Sequence, residues 1–166
     1  MRARVETVVI GIGNPVLRDD GVGPRVARGL TQRLRGVPGI QVRELYSGGI
    51  RLMEALAGFE RAVIVDAIVT PGGQPGTVYS PDLCDLFETR NTHSTHDANL
   101  AVALEFGRLA GLRLPSEIRI WAVEARDVTS FSEDLTADVE RAVPVVIGDV
   151  MRFLGMAPGA CNRARI

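Results

Sequence analysis

Acidic and histidine side chains in three short stretches of the sequence could together bind a metal ion. Asp19 and Asp20 lie in the stretch GIGNPVLRDDGVG at residues 11–23, and Asp66 follows a run of apolar residues. Both histidines of the chain fall in the segment HSTH at residues 93–96. Two carboxylates and one imidazole form a mixed oxygen and nitrogen ligand set with open positions, which suits a divalent transition metal. The residue types therefore predict a metal site.

The glycine-rich stretch has the outline of a phosphate-binding loop but lacks key features of one. A dinucleotide fingerprint needs a third glycine at the position occupied here by Val16. Asp19 and Asp20 stand at the start of the predicted helix, where their charges would repel a phosphate. Glu44 matches the expected ribose-binding acid poorly. The loop favours a cation over an anion, and nucleotide binding is the weaker alternative.

A purely structural explanation exists for each of these residues. Asp19 and Asp20 could cap the following helix, and a histidine beside Ser and Thr at a helix start is often a surface residue. Position argues for function, because ligands of open α/β sheets bind beyond the carboxyl ends of the parallel strands. Asp66 terminates a predicted apolar strand at that edge, where a buried carboxylate must be solvated, hydrogen-bonded or bound to a cation.

The elements that would position these side chains alternate between strands and helices. This order predicts a three-layer α/β/α sandwich with a mostly parallel, twisted sheet of about five strands and helices on both faces. Asp20 is predicted to cap the first helix, and Pro144 to mark a kink or boundary in the last. The predicted strands are 5–10, 40–45, 62–66, 77–79 (at the sheet edge) and 117–123, and the predicted helices are 22–34, 50–56, 97–109 and 135–154.

Composition restricts the class of protein. The 166 residues predict one domain over residues 1–156 and a flexible tail over 157–166. With 19 basic and 20 acidic residues and no run of like charge, nucleic acid and anionic membranes are not expected partners. A signal peptide is not expected, because the first apolar run is too short for one, and no apolar run reaches the ~20 residues that span a membrane. Cys84 and Cys161 have no metal-binding spacing, and a reducing, cytoplasmic location is expected.

Three motifs together resemble those of the hydrogenase maturation endopeptidases, the nickel-dependent proteases that process nickel-iron hydrogenases. They are the loop at 11–23, the segment IVDA at 64–67 and the segment STHD at 94–97. The resemblance covers almost the whole chain, with the motifs in the family's order, and implies a twisted mixed sheet flanked by helices.

The resemblance also implies which residues carry the chemistry. By motif, Asp20, Asp66 and His96 would contact the metal and form the catalytic site. The loop itself favours a shaping role for Asn14 and Asp19. His93 lies three residues too early for the family's S-x-H pattern.

The family's activity implies a substrate and a role for nickel. The protease would remove a short C-terminal extension from the hydrogenase large-subunit precursor after nickel insertion, with precursor-bound nickel as the recognition element. A monomer is expected, and in isolation the site could take up another divalent ion. A non-hydrolytic, metal-dependent binding or assembly protein for the same precursor is the alternative function.

Overall fold

The computed structural model describes residues 6–80 and 100–156, and within them the chain forms five strands and four helices. In chain order the elements are β1 (Thr7–Ile12), α1 (Val22–Arg33), β2 (Ile40–Leu45), α2 (Ile50–Leu56), β3 (Arg61–Ile68), β4 (Val78–Tyr79), α3 (Leu100–Leu109), β5 (Glu117–Glu124) and α4 (Ala137–Phe153). A short 3-10 turn, Arg18–Gly21, precedes α1.

The strands form one sheet in the order β2-β1-β3-β5-β4. The first four strands in this order run parallel, and β4 pairs antiparallel with β5 at the edge. The predicted α/β sandwich with a mostly parallel sheet is confirmed, and so is the short edge strand.

Side chains of the strands alternate between two apolar cores, one on each face of the sheet. Val9, Val63 and Val65 pack in the core that contains residues of α1 and α4. Ile10 and Ile64 pack in the other core, beneath α2, which also contacts α3. Because helices cover both faces, the central strands are continuous apolar runs rather than alternating ones.

Some element boundaries differ from those predicted. β3 continues two residues past Asp66 to Ile68, so Asp66 lies inside the strand and not at its end. Pro144, predicted at a kink or a boundary, lies within α4, where it leaves the carbonyl of Glu140 without its usual helical N–H donor. Of the helices in residues 6–80 and 100–156, none is both long enough and apolar enough to cross a bilayer.

Candidate active site

The strand order changes direction between β1 and β3. From β1 the chain passes through α1 to β2 on one side, and from β2 it returns through α2 to β3 on the other side of β1. Ligands of open α/β sheets bind outside the carboxyl ends of the strands at such a switch point. The 3-10 turn after β1 carries Asp20, and its Cα atoms come within 8 Å of β3, the strand that holds Asp66. The structure thus brings the two acidic elements to this point.

Asp19 is fully buried and fastens the loop after β1 to a distant part of the chain. Its carboxylate accepts hydrogen bonds from the backbone N–H groups of Arg126 (2.9 Å), Asp127 (3.0 Å) and Thr136 (2.7 Å). The Thr136 hydroxyl donates a further bond, at 2.9 Å. These contacts support the predicted loop-shaping role of Asp19.

Asp20 is half-buried, and its carboxylate is turned back toward the end of β1. Its Oδ2 accepts a hydrogen bond from the Asn14 N–H at 2.6 Å. The residue at the N-cap of α1 is Gly21, and no side-chain cap bond forms there. The predicted capping role of Asp20 is therefore wrong, because the intervening 3-10 turn separates its side chain from the first turn of the helix.

Local backbone geometry fixes the shape of this loop. The Asn14 Oδ1 accepts the Val16 N–H at 3.1 Å, which supports the loop-shaping role predicted for Asn14. Gly13 has a φ of 140°, and a Cβ placed there would lie 1.9 Å from the carbonyl oxygen of Asp20. Arg18, just before the acid pair, has a φ of 47°, an uncommon and strained conformation for a residue with a side chain.

Asp66 is a buried acid in the central strand of the sheet, only 2% exposed. Its Oδ1 accepts the N–H of Ala67 at 2.8 Å. Side-chain alternation along β3 puts Asp66 on the same face as Ile64, the face covered by α2 and α3.

The two histidines fall outside the described residues. His96 and His93 lie in the stretch 81–99, so the geometry of the predicted third ligand is not described. Within 6–80 and 100–156 there is no group of three or more His, Cys, Asp and Glu side chains that could hold a metal ion.

Glu44, the weak candidate for a ribose-binding acid, is engaged in an ion pair. Arg28 donates to both of its carboxylate oxygens, at 3.1 and 3.0 Å, and the Tyr46 hydroxyl donates at 3.0 Å. The pKa of Arg28 is raised, mainly by its hydrogen bond to Glu44. Because Arg28 and Tyr46 already bind its carboxylate, Glu44 gives no support to nucleotide binding.

Glu124 is a buried carboxylate that the sequence analysis did not single out. Its side chain accepts bonds from the Thr70 N–H (2.7 Å) and hydroxyl (2.9 Å) and from the Tyr79 hydroxyl (2.9 Å). Burial raises the pKa of Tyr79, so its hydroxyl remains a donor at neutral pH. The signal that pointed to Asp66, an acid at the end of an apolar strand, is also present at Glu124. Its contacts hold the loop between β3 and β4.

Comparison with known proteins identifies the family. The sequence model of the family HycI, hydrogenase maturation protease, matches residues 24–153. The chain belongs to the hydrogenase maturation protease family. It is 30% identical over 150 residues to the hydrogenase 2 maturation protease of Escherichia coli K12, covering 89% of each chain.

Solved structures agree with this family and its fold. The hydrogenase maturating endopeptidase HybD from E. coli superimposes with a TM-score of 0.72 at 26% identity, covering 90% of this chain and 92% of that one. The solution structure of an endopeptidase from E. coli has the same fold, with a TM-score of 0.74 at 24% identity over 92% of this chain and 95% of that one. This member of the hydrogenase maturation protease family is therefore a peptidase with the family's α/β fold.

The two carboxylates of this protease have different surroundings. Asp66 is enclosed by the sheet and its helices, whereas Asp20 is partly exposed on the loop. Carboxylate oxygens of this kind can ligate a divalent cation, and one within hydrogen-bond reach of a water can accept its proton.

Proposed function

We propose that this protease removes the C-terminal extension of a nickel-iron hydrogenase large-subunit precursor after nickel insertion. Nickel already held by the precursor is part of the substrate, and Asp20, Asp66 and His96 supply further ligands to it. One observation carries the proposal: the turn that bears Asp20 lies against the strand that bears Asp66, at the sheet's switch point.

The position of His96 in the sequence supports its membership of the same site. It precedes Leu100, the first residue of α3, by four positions. Leu104 of α3 packs against the core on the face of the sheet where Ile64 and Asp66 point. The helix that follows His96 in the sequence therefore covers the face of the sheet to which Asp66 points.

The proposed chemistry makes recognition of the precursor depend on whether its nickel has been inserted. A metal that bridges enzyme and substrate makes binding depend on the precursor's nickel. The nickel would polarise the scissile carbonyl or lower the pKa of an attacking water. The protein's own part is to hold two carboxylates in fixed orientations, through the Asn14 N–H at Asp20 and the Ala67 N–H at Asp66.

The decisive experiment incubates the protein with nickel-loaded and nickel-free precursor and measures the precursor's mass. We expect a mass loss equal to a C-terminal peptide only with the nickel-loaded form. An unchanged mass together with measurable binding would favour the non-hydrolytic assembly protein. Cleavage of both forms at equal rates would refute the role of nickel in recognition.

Single substitutions test the proposed ligands. Asp20→Ala, Asp66→Ala and His96→Ala are each expected to lower processing by at least about 100-fold, the scale of a lost acid–base or ligand function. His93→Ala is the matched control, because it removes the chain's other histidine and should leave processing intact. Circular dichroism should show that all four variants fold. The monomeric state and cytoplasmic location remain predictions from the sequence.

A further inference from the structure

Phe131 is the most exposed large hydrophobic residue in the described part of the chain. Its exposed fraction is 86%, compared with 58% for Phe106 on α3. Single exposed apolar residues are common on protein surfaces and usually need no explanation. Phe131 differs because the segment that presents it is anchored to the candidate active site.

Backbone hydrogen bonds attach the neighbour of Phe131 to the loop after β1. The Ser132 N–H donates to the Val16 carbonyl at 3.0 Å, and the Ser132 carbonyl accepts the Arg18 N–H at 2.8 Å. Arg18 is two residues before Asp20 in the same 3-10 turn. Phe131 is therefore held beside the turn that carries a proposed nickel ligand.

Two carboxylates make the Phe131 segment rigid. Asp19 binds the N–H groups of Arg126, Asp127 and Thr136, which bracket the segment on both sides. The Asp127 side chain accepts the N–H groups of Thr129 and Ser130, both at 3.0 Å. Hydrogen bonds from Ser130 and Thr129 lower the pKa of Asp127 well below its usual range, so this turn stays charged and intact near neutral pH.

An exposed aromatic ring on a hydrogen-bonded backbone segment beside a site is suited to binding a polypeptide. An aromatic side chain offers a large apolar surface and loses little conformational entropy when its backbone is already fixed. Residues of this type dominate the binding energy of many protein interfaces. Val16, 42% exposed and paired with Ser132 through the backbone, adds apolar surface on the same loop.

We propose that Phe131 and Val16 form an apolar contact for the precursor polypeptide beside the turn that bears Asp20. This inference rests on the proposed function and specifies how the same site binds its substrate. The occupant is an apolar side chain of the hydrogenase large-subunit precursor. The contact adjoins the turn with Asp20, so it would align the substrate chain with the proposed nickel ligands.

The test compares Phe131→Ala with Phe106→Ala, which removes an exposed phenylalanine on α3. Burial of one phenylalanine ring corresponds to about a tenfold to hundredfold change in affinity. We expect Phe131→Ala to raise the KM for nickel-loaded precursor by that factor with little change in kcat. Phe131→Leu should recover part of the affinity, and Phe106→Ala should behave as the unsubstituted protein. Thermal melts establish that each variant is folded.

The outcomes separate this inference from the proposed function. Equal KM values for Phe131→Ala and the unsubstituted protein, or equal losses in Phe131→Ala and Phe106→Ala, would overturn the inference. If the unsubstituted protein does not cleave the precursor, the proposed function fails, and titration calorimetry with the precursor still tests the contact. A tenfold weaker Kd for Phe131→Ala alone would then support it, and an unchanged Kd would refute it.

Discussion

The neighbouring acids Asp19 and Asp20 have opposite environments. Asp19 is fully buried and saturated by backbone donors, whereas Asp20 is half-buried and accepts one N–H from Asn14. One residue step within the 3-10 turn is enough to direct one carboxylate into the protein and the other toward the end of β1. The first stabilises the loop, and the second is the residue proposed to ligate the substrate's nickel.

This division predicts different consequences for the same substitution. Asp19→Asn places an amide donor against backbone N–H groups, and each unsatisfied buried donor costs about 1–3 kcal/mol. We expect it to lower the free energy of unfolding by roughly 3 kcal/mol or more. Asp20→Asn keeps an acceptor for the Asn14 N–H and should change stability by less than about 1 kcal/mol. Urea unfolding followed by Trp121 fluorescence measures both.

Precursor processing gives the complementary measurement. Asp20→Asn should lose processing while remaining folded, since an amide is a far weaker metal ligand and base than a carboxylate. For Asp19, the outcome to look for is in the unfolding experiment. If Asp19→Asn has the same free energy of unfolding as the unsubstituted protein, the hydrogen bonds from Arg126 and Thr136 do not stabilise the loop.

Residue types and order in the sequence predicted part of this arrangement. A carboxylate after an apolar strand drew attention to Asp66, and the family resemblance, not the acid pair itself, selected Asp20 over Asp19; both assignments stay predictions. The partners of Asp19 could not be predicted, because they lie 107 to 117 positions further along the chain. Local patterns carry no information about such contacts. Glu124 was missed although it shares the signal of Asp66, because its role depends on Thr70 and Tyr79 across the sheet.

At the scale of elements, glycines control how closely α1 approaches the sheet. A Cβ at Gly23, in the first turn of α1, would lie 2.2 Å from the Ile12 carbonyl oxygen and 2.5 Å from that of Val65. A Cβ at Gly11 would lie 2.1 Å from the Gly23 carbonyl oxygen. These glycines therefore seat the helix directly on β1 and β3, next to the turn that carries Asp20.

Glycine substitutions in two helices should have opposite effects. Gly23→Ala would force α1 away from two backbone oxygens, and we expect a loss of about 2 kcal/mol or more. Gly148→Ala, within α4, meets nothing within 4 Å and should stabilise the protein by about 0.5–1 kcal/mol through helix propensity. Alanine has a higher helix propensity than glycine in both helices. A loss of stability with Gly23→Ala therefore reports the steric effect. Equal stabilisation by both substitutions would contradict the close packing. Urea unfolding is again the measurement.

Most elements could be predicted from sequence, and the errors have physical causes. The bounds of β2 and α2 match those predicted, because turn residues delimit them on both sides. β3 extends past Asp66 because backbone pairing with β5 continues to Ile68, which side-chain polarity does not reveal. Asp20 does not cap α1, because the polarity of a residue before a helix does not show whether a 3-10 turn intervenes.

At the scale of the whole molecule, the last helix, α4, ends in a hydrogen-bonded C-terminal cap. Gly155 has a φ of 74°, its N–H donates to the Arg152 carbonyl at 3.0 Å, and the Met156 N–H donates to the Met151 carbonyl at 2.8 Å. This pattern is a Schellman cap, in which a left-handed glycine ends the helix. Leu154 and Met156 also pack against the core on that face of the sheet.

The cap predicts where the chain can be shortened. Deleting residues 157–166, the predicted tail, should shift the Tm by less than about 2 °C. Deleting residues 154–166 also removes the cap and two apolar contacts, and we expect the Tm to fall by several degrees. Trp121 fluorescence reports unfolding. This side chain is buried and packs edge to face with Phe153, with the two ring centroids 5.5 Å apart. A large loss on the shorter deletion would show that the domain extends beyond residue 156.

The long-range bonds of Asp19 also set the order in which the loop after β1 can be fixed while the chain is synthesised. The turn that bears Asp20 leaves the ribosome early, whereas the partners of Asp19 at Arg126 and Thr136 are made 107 and 117 residues later. A nascent chain that ends before β5 has the acid pair but not the groups that hold the loop. Because contacts of high sequence separation form late, we expect the loop that bears Asp20 to be fixed only after the segment from Arg126 to Thr136 has been synthesised and has folded back onto it.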